Sequence, residues 1–120
     1  MKILVCEDDI IMIKAIEHKL KSEGYTIDVA TDGIQASEKI SNNEYDLIMT
    51  DLLMPFFGGL ELVNKVRNEM KLKVPIIVLT RVGNEDTIIE AFKLGADDYV
   101  TKPFSPNELS IRVKRLLIRR

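Results

Sequence analysis

The chain has 120 residues, a formal net charge of −2 and a single cysteine, Cys6. This length predicts one domain. The lone cysteine excludes an internal disulfide or zinc framework, and the charge gives no overall attraction to nucleic acid or anionic membranes. No window approaches the roughly 18 apolar residues of a membrane span, and no signal peptide precedes the first strand-like run. We therefore expect a cytoplasmic protein without a membrane partner.

Apolar runs and helical periodicities alternate along the whole chain. In order, the predicted elements are a strand over 2–6, a helix over 10–20 stopped by Gly24, a strand over 26–30, a turn at 32–33 with a short helix ending near 42–43, a strand over 47–50, a loop over 51–59, a helix over 60–70, a strand over 76–79, a helix opened by 83–86 and closed by Gly95, a strand over 99–101, and a helix after 105–108. This β-α alternation predicts an α/β fold, a doubly wound, five-stranded parallel sheet with helices on both faces.

The last helix has the clearest local signal in the sequence. Ser105 is placed as its N-cap, Pro106 as its first residue and Glu108 three residues after the cap, which together form a capping box. The apolar residues that follow at helical spacing are Leu109, Val113, Leu116 and Leu117. The sequence therefore predicts that this helix packs its apolar side against the sheet.

Polar residues follow four of the predicted strands, at the point where each strand ends. They are Glu7, Asp8 and Asp9 after the first strand, Asp51 after the third, Thr80 at the end of the fourth and Lys102 after the fifth. Open parallel sheets bind their ligands outside the carboxyl ends of their strands. Carboxylates, a hydroxyl and a lysine at that edge indicate a site for a hard cation and a phosphoryl group.

Taken together, these residues resemble the receiver domain of two-component response regulators. The resemblance covers the whole chain and rests on residues 7–9, on 51–55 with Gly59, on Thr80, and on 102–104. The segment from 95 to 109 is similar to the OmpR/PhoB-type subfamily in particular. The resemblance implies a flavodoxin-like fold with strand order 2-1-3-4-5 and a cis peptide bond before Pro103.

The resemblance also implies a role for individual residues. Asp51 matches the phosphoacceptor, whose carboxylate attacks phosphorus and holds the group as an aspartyl phosphate. Lys102 matches the lysine that contacts the phosphoryl oxygens. Thr80 matches the hydroxyl that moves toward the phosphate, and Tyr99 matches the switch aromatic whose ring then turns inward.

A magnesium ion is the cofactor that the resemblance implies. Glu7, Asp8 and Asp51 crowd like charges, which is unfavourable unless a cation lies among them, and Mg²⁺ prefers carboxylate and other oxygen ligands. The main-chain carbonyl of Leu53 is a further ligand in the family. We expect Asp8 to bind directly and Glu7 to act through water, whereas Asp9 is expected to open the first helix.

Three positions depart from the family pattern. Arg81 follows Thr80 where a small residue is usual, which predicts an altered lifetime of the phosphoryl group. Phe56-Phe57-Gly58 replaces the commoner small and acidic loop, and we interpret the two phenylalanines as a lid or a contact patch. Ile88 stands where the subfamily carries a basic residue that pairs with Glu108.

The expected function is that of a phosphorylation-activated switch with a sensor histidine kinase as donor, catalysing only its own phosphorylation and dephosphorylation. Activation is expected to favour a homodimer through the fourth helix, fifth strand and fifth helix. The residues assigned to this face are Asp97, Asp98, Arg112 and Arg119. Control of transcription would then require a winged-helix DNA-binding domain after residue 120, outside this chain.

Three alternatives are weighed against this expectation. One is a stand-alone receiver that signals by protein contact. Another is a Mg²⁺-dependent phosphatase that works through an aspartyl phosphate, which would carry a second acid where this chain has Leu53. The third is a flavodoxin-like nucleotide binder, which is disfavoured because the acids at 7–9 would repel a phosphate.

Overall fold

The computed structural model describes residues 1–118. The strands are β1 Lys2–Cys6, β2 Thr26–Ala30, β3 Leu47–Thr50, β4 Ile76–Thr80 and β5 Asp98–Thr101. The helices are α1 Ile10–Ser22, α2 Gly33–Asn42, α3 Gly59–Asn64, α4 Glu85–Leu94 and α5 Pro106–Ile118, and a π-helical segment, Lys65–Glu69, continues α3. Within these residues, no helix combines the length and the apolarity that crossing a membrane requires.

The five strands form one parallel sheet in the order β2-β1-β3-β4-β5, which confirms the predicted topology. Successive side chains of each strand point to opposite faces. Leu4 and Ile48 pack on one face beneath α2, α3 and α4. Ile3 and Met49 pack on the other beneath α1 and α5. Two apolar cores therefore hold helices on both faces and leave the strand ends free to carry polar groups.

Local signals in the sequence account for most helix ends. The Ser105 Oγ accepts a hydrogen bond from the Glu108 N–H at 3.0 Å, as the capping box predicted. Asp9 caps α1 through bonds from two backbone N–H groups to its Oδ1, which is the predicted helix-opening role. Gly95 ends α4 in the left-handed conformation, with φ of 118°, a region that glycine enters without steric cost.

The predicted helix over 60–70 differs in detail from the structure. The α-helix ends at Asn64, and residues 65–69 form a π-helical turn, which is wider by one residue than an α-turn. Of the apolar positions whose spacing predicted this helix, Val63 and Val66 are buried in the core, and Leu60 and Met70 are partly buried against it. The sequence pattern therefore predicted the buried side of this element but not the change in its hydrogen bonding.

Arg67, which lies in the π-helical segment, joins three parts of the chain. Its Nε donates to the Gly95 carbonyl at 3.0 Å, one terminal nitrogen donates to the Leu72 carbonyl at 2.8 Å, and the other contacts the Asp97 carboxylate at 2.9 Å. The same Asp97 oxygen accepts from the Ile76 N–H at 2.8 Å. One side chain therefore fixes the end of α4 to the start of β4.

Candidate functional site

The residues expected at the site lie together at the carboxyl edge of the sheet. Glu7 directly follows β1, the Asp51 N–H donates to the Cys6 carbonyl at 3.0 Å, and the Lys102 N–H donates to the Thr80 carbonyl at 2.8 Å. Each backbone thus continues the ladder one step past its strand. The peptide bond between Lys102 and Pro103 is cis, as the resemblance implied.

Lys102 links the acids at the centre of the site. Its Nζ lies 2.6 Å from Glu7 Oε1 and 2.9 Å from Asp51 Oδ2. Glu7 is 1% exposed and Asp51 is 8% exposed, so these contacts are shielded from water. The second Glu7 oxygen accepts from the N–H groups of Asp8 and Asp9 at 3.2 and 3.3 Å.

Burial and the hydrogen bonds between Glu7 and Lys102 have opposite effects on the pKa of each of these two groups. Burial raises the pKa of Glu7 above its ordinary value, although the hydrogen bond and the charge of Lys102 oppose that rise. Burial alone would lower the pKa of Lys102, but its hydrogen bonds to Glu7 and Asp51 outweigh this effect and the pKa is raised. Lys102 is therefore a firmly charged ammonium held against the carboxylate that is expected to react.

The charge at the centre favours a cation. Glu7, Asp8 and Asp51 offer oxygen donors, the kind that Mg²⁺ prefers, and the basic side chain of Lys102 is in direct contact with Glu7 and Asp51. Asp8 is exposed to solvent. Among the residues that the structure describes, no group of three acidic, histidine or cysteine side chains is assembled tightly enough to hold a metal ion. The chemistry of the donors fits magnesium, while Lys102 occupies one oxygen of Glu7 and one of Asp51.

Thr80 and Tyr99 meet at the loop that precedes α4. Thr80 is fully buried, and its Oγ1 accepts from the Val82 N–H at 3.3 Å. Tyr99 is half-buried, and its hydroxyl donates to the Val82 carbonyl. Burial, followed by the negative charge of Asp51, raises the pKa of Tyr99. The same loop residue therefore bonds to both side chains that the resemblance assigns to the switch.

The loop after Asp51 folds closely back on the strand end. The Leu53 N–H donates to Asp51 Oδ1 at 3.2 Å. A Cβ on Gly58 would lie 2.2 Å from the Leu52 carbonyl oxygen, and one on Gly59 would lie 2.4 Å from that of Asp51. Only glycine fits at these two positions, which explains the pair that the sequence carries here.

The acids assigned to a dimer face already have partners within the chain. Asp98 is buried and accepts from Arg112 at 2.8 and 3.0 Å and from Arg115 at 3.3 Å. Asp97 is held by Arg67. Arg119 lies outside the described residues. Sequence reasoning missed these pairs because each joins residues that are far apart in the chain and that a residue pattern does not connect.

Comparison with known proteins agrees with this geometry. The family model described as the response regulator receiver domain matches residues 3–114. The chain belongs to the response regulator receiver family. This receiver domain is 42% identical over 118 residues to the transcriptional regulatory protein ResD of Bacillus subtilis and 39% identical over 118 residues to the alkaline phosphatase synthesis transcriptional regulatory protein PhoP of the same species. Each alignment covers 98% of the receiver domain, but 48% of ResD and 49% of PhoP.

Solved structures give the same result for the fold. The receiver domain of Francisella response regulator 1452 superposes with a TM-score of 0.92 at 38% identity, covering 98% of this chain and 97% of that one. The BeF3-activated N-terminal receiver domain of Klebsiella pneumoniae RstA superposes with a TM-score of 0.91 at 28% identity, covering 98% of each. The receiver domain spans about half the length of the curated relatives that it matches.

Proposed function

We propose that Asp51 accepts a phosphoryl group from the phosphohistidine of a sensor kinase. One Asp51 oxygen attacks phosphorus, the new O–P bond forms as the N–P bond breaks, and the electron pair of that bond returns to the imidazole. The observation that carries the proposal is the contact between Lys102 Nζ and Asp51 Oδ2 at 2.9 Å in a shielded pocket. An ammonium at that position is ready to pair with phosphoryl oxygens as they arrive.

The proposal includes magnesium at the same edge of the sheet. Asp8, Asp51 and the carbonyl of Leu53 would hold the ion, with Glu7 acting through water. When bound, Mg²⁺ supplies positive charge against the phosphoryl oxygens. Its support is the chemistry of the donors, since Asp8 is an exposed carboxylate next to a pair of buried ones.

The proposal is tested by labelling with acetyl phosphate and Mg²⁺, followed by phosphate-affinity electrophoresis and mass spectrometry. Asp51→Asn removes the attacking carboxylate and should abolish the label. Asp9→Asn changes a nearby acid that caps α1 and should keep it. A fully labelled Asp51→Asn protein would overturn the assignment of the phosphoacceptor.

The proposed response to phosphorylation passes through the loop before α4. The Thr80 hydroxyl would donate to a phosphoryl oxygen, and this movement would pull on the loop because Thr80 Oγ1 now accepts from the Val82 N–H. Tyr99 bonds to the carbonyl of the same residue, so its ring would follow. A phosphoryl group carries a charge of roughly −1.5 to −2, which is the driving change in this scheme.

Dimerisation through α4, β5 and α5 is part of the same proposal. Ile89, Phe92 and Ile111 present large exposed apolar side chains on α4 and α5. Because Asp97 and Asp98 are paired inside the chain, apolar contact would carry more of the affinity than ion pairs across the interface.

Sedimentation with and without beryllofluoride tests this face. The unphosphorylated protein should be a monomer or a weak dimer, and the phosphoryl mimic should shift it toward a dimer. Phe92→Ser should remove the shift. Ile34→Ser, which changes an exposed isoleucine on α2, is the matched control and should retain it. A mass that does not respond to the mimic would count against dimerisation.

We further propose that the natural protein acts on transcription in the cytoplasm, with a winged-helix DNA-binding domain following residue 120. The support is that the chain matches about half of each of two relatives named as transcriptional regulatory proteins. The full reading frame decides this point, because a stop codon directly after residue 120 would favour a stand-alone receiver that signals through protein contact.

A further inference from the structure

Phe56 combines a left-handed backbone conformation with an aromatic side chain that is exposed to solvent. Its φ is +73°, a left-handed conformation in which the Cβ of a bulky residue meets backbone atoms. The residue is 77% exposed, so burial of the ring does not offset that steric cost. A strained conformation that holds an aromatic ring in water suggests a function outside the folding of the chain itself.

The loop around Phe56 is fixed by hydrogen bonds on both sides. The Pro55 carbonyl accepts from the Gly33 N–H at 3.2 Å and from the Phe57 N–H at 3.1 Å, and the Gly59 N–H donates to the Leu52 carbonyl at 2.9 Å. The position of Phe56 is therefore imposed by its neighbours. A loop whose backbone is ordered before binding loses less conformational freedom when a partner covers it.

The surface beside this ring is apolar and adjoins the phosphoacceptor. Leu53 is 66% exposed, and its N–H is bonded to Asp51 Oδ1. A groove of about 410 Å³ adjoins the ring, and Met54, Phe57 and Val82 are among its lining residues. Exposed apolar surface of this kind marks interaction sites on soluble proteins.

We propose that Phe56, together with Leu53, forms a docking contact for the helical surface that flanks the phosphorylated histidine of the sensor kinase. This inference rests on the proposed function and adds a residue that determines which donor protein is accepted. Asp51 is recessed, with 8% of its surface exposed, so a donor must press against the surface around it. A helix is about 10 Å wide with its side chains, and the Leu53 N–H is bonded directly to Asp51. A donor helix at Asp51 would therefore also cover Leu53, which lines the same groove as Phe56.

The experiment compares transfer from a kinase with transfer from a small donor. The probes are the phosphorylated transmitter domains of the source organism's sensor kinases, used one by one, and acetyl phosphate. Phe56→Gly removes both the ring and the strain, whereas Phe56→Ala removes the ring and keeps the left-handed strain. Lys71→Gly is the matched control, because Lys71 is the other non-glycine residue with positive φ in the described chain, at 58°.

Both Phe56 variants should lose about tenfold in kcat/KM for transfer from the most active kinase, while labelling by acetyl phosphate stays at the wild-type rate. Phe56→Gly should melt a few degrees above Phe56→Ala. Because the two variants differ in stability but should lose transfer to the same extent, the loss of transfer would be due to removal of the ring. Lys71→Gly should transfer at the wild-type rate.

Three results would overturn the inference. The first is kinase transfer at the wild-type rate in both Phe56 variants. The second is the absence of transfer from every kinase to a wild-type protein that acetyl phosphate still labels. The third is a loss of self-association in the Phe56 variants with normal transfer, which would assign the ring to contact with a second copy. A failure of acetyl phosphate to label Asp51 in the wild-type protein would instead refute the proposed function.

Discussion

Replacing Lys102 by methionine should expose the electrostatic cost of the site. Methionine keeps much of the apolar volume but leaves Glu7 and Asp51 without the ammonium that now lies 2.6 and 2.9 Å from them. Removing one partner of a buried ion pair costs about 3–5 kcal/mol, out of about 5–15 kcal/mol for a whole domain. With a urea dependence of about 2 kcal/mol per molar, the unfolding midpoint should fall by roughly 2 M.

The stability lost in Lys102→Met should depend on pH, and the direction of that dependence follows from the pKa of Glu7. Without Lys102, burial and the charge of Asp51 still raise the pKa of Glu7, and the weaker backbone hydrogen bond from the Asp9 N–H is the remaining effect that lowers it. A carboxyl whose pKa is higher in the folded than in the unfolded protein favours the folded state while it is protonated. Its contribution is complete below the ordinary pKa of 4.5 and is lost as the pH rises through the raised value. The variant should therefore be closest to wild type in acid.

Urea titrations followed by circular dichroism, in the presence of a chelator, measure both effects. Adding Glu7→Gln to Lys102→Met should recover part of the lost stability, because the uncompensated charge is gone. Lys114→Met removes an exposed lysine 3.5 Å from Glu23 and should cost under about 1 kcal/mol. A Lys102→Met protein as stable as this control at every pH would refute the reasoning.

Three further predictions concern the metal, the phosphoryl lifetime and the link between two helices. Chelation should stop labelling by acetyl phosphate and Asp8→Ala should weaken Mg²⁺ binding at least tenfold by calorimetry, whereas labelling that persists in excess chelator would exclude the ion. Arg81→Ala should change the rate of dephosphorylation several-fold when the decay of labelled protein is followed, and an unchanged rate would mean that this exposed arginine only faces solvent. Ser110 donates to Glu23 at 2.6 and 2.8 Å and lowers the pKa of that carboxyl. Ser110→Ala should therefore reduce the free energy of unfolding by about 1 kcal/mol near neutral pH, and by less as the pH falls through the Glu23 pKa of the folded state. An equal cost at neutral pH and below that pKa would contradict this assignment.

The sequence predicted which polar residues lie at the carboxyl edge of the sheet, because that prediction requires only the positions of the strand ends. An apolar run that stops at an acid, a threonine or a lysine locates the end of a strand, and parallel order brings those ends together. This reasoning placed Glu7, Asp51 and Lys102 at one edge, where the structure brings them into contact. It did not predict that Lys102 would lie closer to Glu7 than to Asp51, because the positions of strand ends do not determine which carboxylate oxygen an ammonium group reaches.

Other features depend on contacts that periodicity does not encode. The apolar spacing of 60–70 fits both an α-helix and a helix that widens near its end, so the π-helical segment was not distinguishable. From the sequence alone, Asp98 is expected to be an exposed acid before a strand. In the structure, Arg112 and Arg115 both donate hydrogen bonds to its carboxylate. The positive φ of Phe56 follows from the tight return of the loop and not from the residue, which disfavours that conformation.

The position of Arg67 sets how α4 can move. Arg67 holds the Gly95 carbonyl at one end of the helix, while Thr80 and Tyr99, the proposed switch residues, bond to Val82 near the other end. A displacement at Val82 would therefore become a rotation about a fixed point. A helix of ten residues is about 15 Å long. A shift of about 2 Å at its start therefore tilts the axis by about 8°. Arg67 would then be the point about which α4 turns, with the end that follows Val82 free to move.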